Sequence, residues 1–197
     1  MLLNLHSRDK RNWASEICYI LYKYDFGIVW ESQGVGDIRL FVLEFKRRLL
    51  ESFKDNWSEK INSSEHYKFY SSIKHSLVLS PYLLNIKHVQ ARSSLARFRL
   101  GMSPLRFRSL RFFNVPNSPL QCPFCEDSLE NEVHFMLVCP LYSSLRLEYI
   151  PVKFSRRPSL SALSRLLATI NPTLSMNVAL FVYYALQIRM HYIDNNK

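Results

Sequence analysis

The sequence predicts a mainly α-helical protein: a helical region, then a small module built on three cysteines and a histidine, then two C-terminal helices. Three observations carry this prediction. Only 4 glycines occur in 197 residues, too few for a loop-rich or sheet-rich architecture, while 48% of the chain is apolar and 14% aromatic, as in a folded protein. Apolar side chains recur every three or four positions over several long stretches, which is the period of a helix. Finally, Cys122, Cys125, His134 and Cys139 lie in one run, QCPFCEDSLENEVHFMLVCPLYSSLR, in the pattern C-x2-C-x8-H-x4-C.

The elements follow from pattern and punctuation. Ser7 is placed to cap a first helix reaching about Tyr24, with Trp13, Ile17, Ile20 and Leu21 inward. Cys18 lies in the same apolar pattern and reads as a core residue. GVGD separates this helix from a long one, Ile38 to about Ile61, whose stripe Phe41, Phe45, Leu49, Phe53 and Trp57 recurs every four residues. Repetition on one side makes these rings core rather than a base-stacking platform. Ser64 opens a third helix with Tyr67, Tyr70 and Ile73, and Pro81 marks a boundary. The next helix carries the stripe Ala91, Leu95 and Phe98, continued back to Leu84, with His88, Arg92 and Arg99 on the adjacent flank and Gly101 as its cap. Beyond it LRFRSLRFF is irregular or strand-like, and Asn114 to Pro119 is a turn-rich link. After the cysteine module, Ser155 to Pro158 is a polar, basic linker. Helices of about Leu160 to Ile170 and Thr173 to Tyr192 are divided by Asn171-Pro172, with proline well placed to start the second. The organisation expected is 1–80 as a helical linker region, 81–150 as basic helix plus metal module, and 151–197 as a helical segment.

Three thiols and one imidazole make a complete first shell for a tetrahedral zinc ion, with no coordination position left for water or substrate. The Cys-Pro-Phe-Cys turn points two sulfurs at one ion, with nearby backbone N–H groups supporting the thiolates. After an acidic loop containing Glu126, Asp127, Glu130 and Glu132, a short helix from Glu130 to Val138 carries His134 inward. Cys139 ends it just before Pro140, which cannot continue the hydrogen-bond ladder. A redox CxxC pair is the competing reading, but the strand and helix context of such a pair is missing. One structural zinc ion is therefore the expected cofactor.

The formal net charge of +10 is localised. From His66 to Cys125 there is no Asp or Glu, while Lys68, Lys74, Lys87, Arg92, Arg97, Arg99, Arg106, Arg108 and Arg111 supply nine positive charges. A single-sign field beside a metal module is the footprint of a polyanion-binding surface. Arginine forks two hydrogen bonds onto a phosphate or stacks on an exposed base better than lysine does. The candidate nucleic-acid contacts are His88, Arg92, Arg97, Arg99, Arg106, Arg108 and Arg111, with a solvated face and ion pairs as the alternative for each.

The combination of RFRLG, the CPFC turn, EVHF and CPLYSSLR resembles the zinc-binding region downstream of the reverse transcriptase domain in non-LTR (LINE-type) retrotransposon polyproteins of animals. The resemblance covers about Arg92 to Tyr149, and the upstream NWASEICYILYKYDFGIVWESQGVG looks like the helical linker preceding that motif. It implies a C-terminal segment of a retroelement reading frame, with Cys122, Cys125, His134 and Cys139 as zinc ligands, that helps a parent enzyme hold RNA or a DNA target.

A polymerase palm needs paired carboxylates for two divalent ions, and the chain has no Asp-Asp. The expectation is therefore a non-catalytic accessory module that binds RNA or DNA. A zinc-stabilised scaffold with a protein partner on its helical surface, or a retroelement remnant without function, are the alternatives. Met1 to Leu5 is too short for a secretory signal, and three of four cysteines assigned to metal suit a reducing compartment, so nucleus or cytoplasm is expected. The apolar run from Leu174 to Ile188 falls short of the ~20 residues that span a bilayer, so it reads as a buried helix, with no membrane partner.

Overall fold

The computed structural model describes residues 12–106, 120–126 and 128–195. Ten α-helices occur among these residues, with no strand beyond an isolated bridge between Gln121 and Leu129, so the mainly α prediction holds. The chain divides into two compact units, Met1–Glu59 and Lys60–Lys197. The segments 81–150 and 151–197 contribute to one core.

In the first unit, α1 (Trp13–Lys23) is capped by Asn12, whose side chain accepts from the Ser15 N–H at 3.0 Å. The expected cap at Ser7 lies outside the described residues. Ala14, Cys18 and Leu21 form the buried stripe, packed with Trp30. Of the side chains expected inward, Leu21 is buried, whereas Trp13, Ile17 and Ile20 are exposed, because small Ala14 permits the close approach and sets the face. Asp25 turns the chain at φ 66°, and a helix absent from the sequence reading, α2 (Gly27–Ser32), follows. A Cβ at Gly27 would stand 2.7 Å from the exposed Tyr22 ring, which would have to shift to admit a larger residue.

Asp37 starts α3 (Ile38–Ser63) by accepting from the N–H groups of Arg39 and Leu40 at 2.8 and 3.1 Å. Phe41 and Phe45 stack at 5.5 Å, and both pack on Phe26. The stripe does not continue as expected, since Phe53 is 59% exposed. A strict four-residue repeat drifts about 40° per step around a 3.6-residue helix, which carries Phe53 off the face.

The second unit begins within α3. Instead of a helix opening at Ser64, a 3-10 turn (Glu65–Tyr67) leads into the short α4 (Lys68–Ser71), and Phe69 and Ile73 provide the buried side chains. Pro81 precedes the equally short α5 (Tyr82–Asn85). In α6 (Val89–Arg99) the stripe Ala91, Leu95 and Phe98 is buried as predicted, but Leu84 is 70% exposed because the chain breaks after Asn85, and Ile86 extends the core in its place. Gly101, at φ 69°, ends α6 with both bonds of a Schellman cap: Met102 N–H to the Arg97 carbonyl at 2.8 Å and Gly101 N–H to the Phe98 carbonyl at 3.0 Å.

The C-terminal part contains α7 (Ser143–Tyr149), α8 (Val152–Ser155), α9 (Leu160–Leu167) and α10 (Pro172–Asn195). Ser159 caps α9 through the Ala162 N–H, and Asn171 accepts from the Leu174 N–H at 2.9 Å with Pro172 opening α10. α10 packs against α5, α6 and α7. Its centre, Val178, Ala179, Phe181, Val182 and Ala185, is wholly enclosed. No single helix among the described residues is long and apolar enough to cross a membrane.

One buried ion pair ties α10 to the acidic loop. Arg189 donates from Nε and Nη2 to both Glu130 oxygens at 2.5 and 2.7 Å, and the Arg106 backbone N–H adds a third bond at 2.8 Å. Arg189→Ala would leave the enclosed carboxylate with the Arg106 N–H alone. It should cost about 3–5 kcal/mol in denaturant unfolding, because a stranded buried charge keeps its desolvation cost; a loss below about 1 kcal/mol would show the pair to be incidental.

Candidate metal centre

Local backbone chemistry brings the four residues together. Cys122 and Cys125 sit on a turn closed by Cys122 N–H to the Ser128 carbonyl at 2.7 Å, Glu126 N–H to the Cys122 carbonyl at 2.9 Å and Glu130 N–H to the Leu120 carbonyl at 2.9 Å. Glu126 takes φ 53°, the left-handed conformation that lets the chain fold back after Cys125. The backbone N–H groups of Phe124 and Cys125 help to lower the Cys122 thiol pKa.

His134 and Cys139 come from the opposite side. The Asn131 side chain accepts the His134 N–H at 2.9 Å, starting a short helical stretch at 132–138 within the span expected for it. From His134 to Val138 that stretch widens into a π-turn, closed by Cys139 N–H to the His134 carbonyl at 2.7 Å. The four residues between them bring Cys139 back toward His134, with Pro140 directly after it, and π-turns of this kind recur at functional sites. The next residues form a 3-10 turn (Pro140–Tyr142), with the Tyr142 N–H donating to the Cys139 carbonyl at 3.3 Å.

The resulting geometry is that of a metal centre. One ligand atom from each of Cys122, Cys125, His134 and Cys139 lies within 4.8 Å of the others. The Cys122 and Cys139 sulfurs are 3.8 Å apart, and Cys125 Sγ is 3.2 Å from His134 Nε2. Cys122, His134 and Cys139 are buried, and Cys125 is half-buried. The Cys139 thiol, together with His134 and the backbone N–H groups, holds the Cys122 thiol down at about 3. Cys139 is pushed up by its bond to Cys122, and Cys125 by burial. A bound dication would favour the thiolate form of all three cysteines. Three sulfurs and a nitrogen confined to one volume fit a tetrahedral metal ion.

Arg146 supports the centre from behind. It is buried and donates from Nε to the Met136 carbonyl at 2.9 Å and from Nη2 to the Cys139 carbonyl at 2.6 Å, tying the π-turn and its closing residue to α7. Phe124, at the tip of the cysteine turn, meets Tyr192 of α10 edge-on at 5.3 Å. Glu130, Arg146 and Arg189 are the supporting residues that sequence reasoning missed. Their partners are backbone carbonyls or a charge 59 positions away, which no local pattern encodes.

The basic residues separate into structural and free groups. Arg99, expected as a nucleic-acid contact, is instead buried, with its guanidinium 4.8 Å from the Tyr82 ring and donating to the Leu167 carbonyl. His88 is exposed, and its Nδ1 caps α6 at the Ala91 N–H. Arg92 and Arg106 are half-buried and donate to the carbonyls of Ile86 and Gln121 at 2.8 and 3.1 Å. Arg97 is exposed. Arg108 and Arg111 lie outside the described residues.

Two substitutions test the centre. Cys125→Ser removes one thiolate and should abolish metal retention and expose 122–150 to protease, because ligand assembly and local folding are coupled; unchanged metal content and protease resistance would refute the ligand assignment. Glu126→Gly should raise stability by about 1 kcal/mol in denaturant unfolding, since glycine takes the left-handed conformation without a Cβ clash, and a loss of stability would show that the Glu126 side chain is needed. Comparison with protein-family models, curated proteins and solved structures finds no match to this chain.

Proposed function

We propose that this chain is a non-catalytic nucleic-acid-binding module organised by one structural zinc ion, of the kind found in the C-terminal part of retrotransposon reverse transcriptase polyproteins. Zinc is the metal whose closed structural sites use three thiolates and one imidazole. With all four positions taken by protein, the ion would organise the fold and leave no place for a reacting water.

The observation that carries the nucleic-acid reading is the distribution of charge. Lys60–Lys197, the unit that holds the cluster, has 17 basic and seven acidic residues, whereas Met1–Glu59 has nine of each. The entire excess of +10 therefore belongs to the metal-bearing unit. Three of its arginines, Arg99, Arg146 and Arg189, are buried in structural roles, while Lys87, Arg97, Lys153, Arg156, Arg157 and Arg165 are exposed. An exposed field of one sign attracts polyanions and releases their counterions on contact.

A second reading has its own observation. The first unit leaves Trp13, Leu40 and Leu43 more than half exposed and has an open groove of about 410 Å³ lined by Ile17, Leu21, Val29, Trp30 and Phe41. That surface suits an apolar protein partner, and apolar docking is insensitive to salt.

Metal analysis of the purified chain should find one zinc per molecule, and affinity for nucleic acid should fall roughly tenfold or more between about 50 and about 200 mM salt. Arg97→Glu should weaken binding several-fold with zinc retained. Zinc without salt-sensitive binding would overturn the nucleic-acid reading and favour the protein-docking one.

A further inference from the structure

Four rings from three elements line one strip of the second unit. Tyr183 and Tyr184 are neighbours on α10 with centroids 5.2 Å apart; His88, at the start of α6, faces Tyr183 at 5.4 Å; and Tyr149, at the end of α7, faces Tyr184 at 6.1 Å. None of the four belongs to the fully enclosed core, in which Phe98, Phe135 and Phe181 supply the aromatic packing. Tyr184 is 39% exposed, His88 is exposed, and Tyr183 and Tyr149 are half-buried.

The strip has cations at one end. Lys87, exposed, adjoins His88 in sequence, and Arg92 lies one turn further along α6 with one guanidinium nitrogen fixed on the Ile86 carbonyl. All three residues belong to the run from His66 to Cys125 that contains no acid. At the opposite end the strip meets an acid, Glu148, which pushes the Tyr149 hydroxyl pKa up.

We propose that this strip binds single-stranded nucleic acid, with its exposed rings stacking on unpaired bases while Lys87 and Arg92 hold neighbouring phosphates. This rests on the nucleic-acid reading above and adds to it the form of the strand. A duplex keeps its base faces inside the helix and offers a protein only edges and backbone, so a surface combining ring faces with cations gains from stacking only when the bases are free. Stacking adds affinity without releasing counterions, and the two contributions separate experimentally.

The test is a titration of the full chain against a labelled deoxythymidine strand of about 15 nucleotides and a duplex of the same length at about 50 mM salt. The single strand should bind about tenfold more tightly. Tyr184→Leu should weaken single-strand binding by roughly 5–50-fold, leaving duplex affinity and the salt slope unchanged, and Tyr184→Trp should restore it. Circular dichroism and metal content verify that both variants retain the fold. Equal affinity for the two forms, or full single-strand affinity in Tyr184→Leu, would overturn the stacking strip while leaving charge-driven binding intact. Absence of binding to either form would overturn the nucleic-acid reading itself.

Discussion

The second unit depends on the closing of two half-sites against each other: a tight turn presenting Cys122 and Cys125, and a π-turn presenting His134 and Cys139. The π-turn has two roles. It points His134 at the sulfurs and places the next residue, Phe135, at the centre of the core, where its ring meets Tyr142 at 4.8 Å, Phe98 at 5.6 Å and Phe181 at 6.3 Å. The metal cluster and the hydrophobic core are thus linked through adjacent residues on one short helical stretch. Movement at His134 should therefore be felt at α6, at the 3-10 turn and at α10, because a close-packed core transmits displacement rather than absorbing it.

Buried charge completes this arrangement. Arg146 satisfies carbonyls around the π-turn, Arg99 fastens the end of α9 to α6, and Arg189 joins α10 to Glu130 in the loop between the half-sites. Each is an arginine whose planar fork of donors reaches acceptors that lysine would satisfy less well. A chain selected only for surface charge would have no reason to enclose three of its cations. The remaining exposed cations keep the unit positive, while the first unit balances its charges locally, as in the ion pair of Arg47 with Glu44 and Glu51.

The ligand set was legible in the sequence because cysteine and histidine spacing over 18 residues is a local property, and the structure gathers the same four side chains. The stripe Ala91, Leu95 and Phe98, the cap at Gly101 and the break at Asn171-Pro172 were legible for the same reason. What failed was orientation. The inward face of α1 is set by Ala14 and Trp30 rather than by the largest apolar side chains, and the four-residue aromatic repeat of α3 winds off its own face by Phe53. Arg99 read as a surface cation because sequence shows that a charge exists but not the carbonyl and ring that enclose it. The Glu130–Arg189 pair and the row formed by His88, Tyr183, Tyr184 and Tyr149 arise only when α6, α7 and α10 pack, so no window along the chain contains them.

Amide hydrogen exchange on the metal-loaded chain, with and without a chelator, measures the coupling between cluster and core directly. If the metal centre organises the second unit, chelation should remove protection from 120–150 and carry the loss into α10 around Arg189, leaving α1 and α2 unchanged. Protection that stays the same throughout Lys60–Lys197 after complete metal removal would contradict the account, and would mean that the core holds the four ligands in place without the ion.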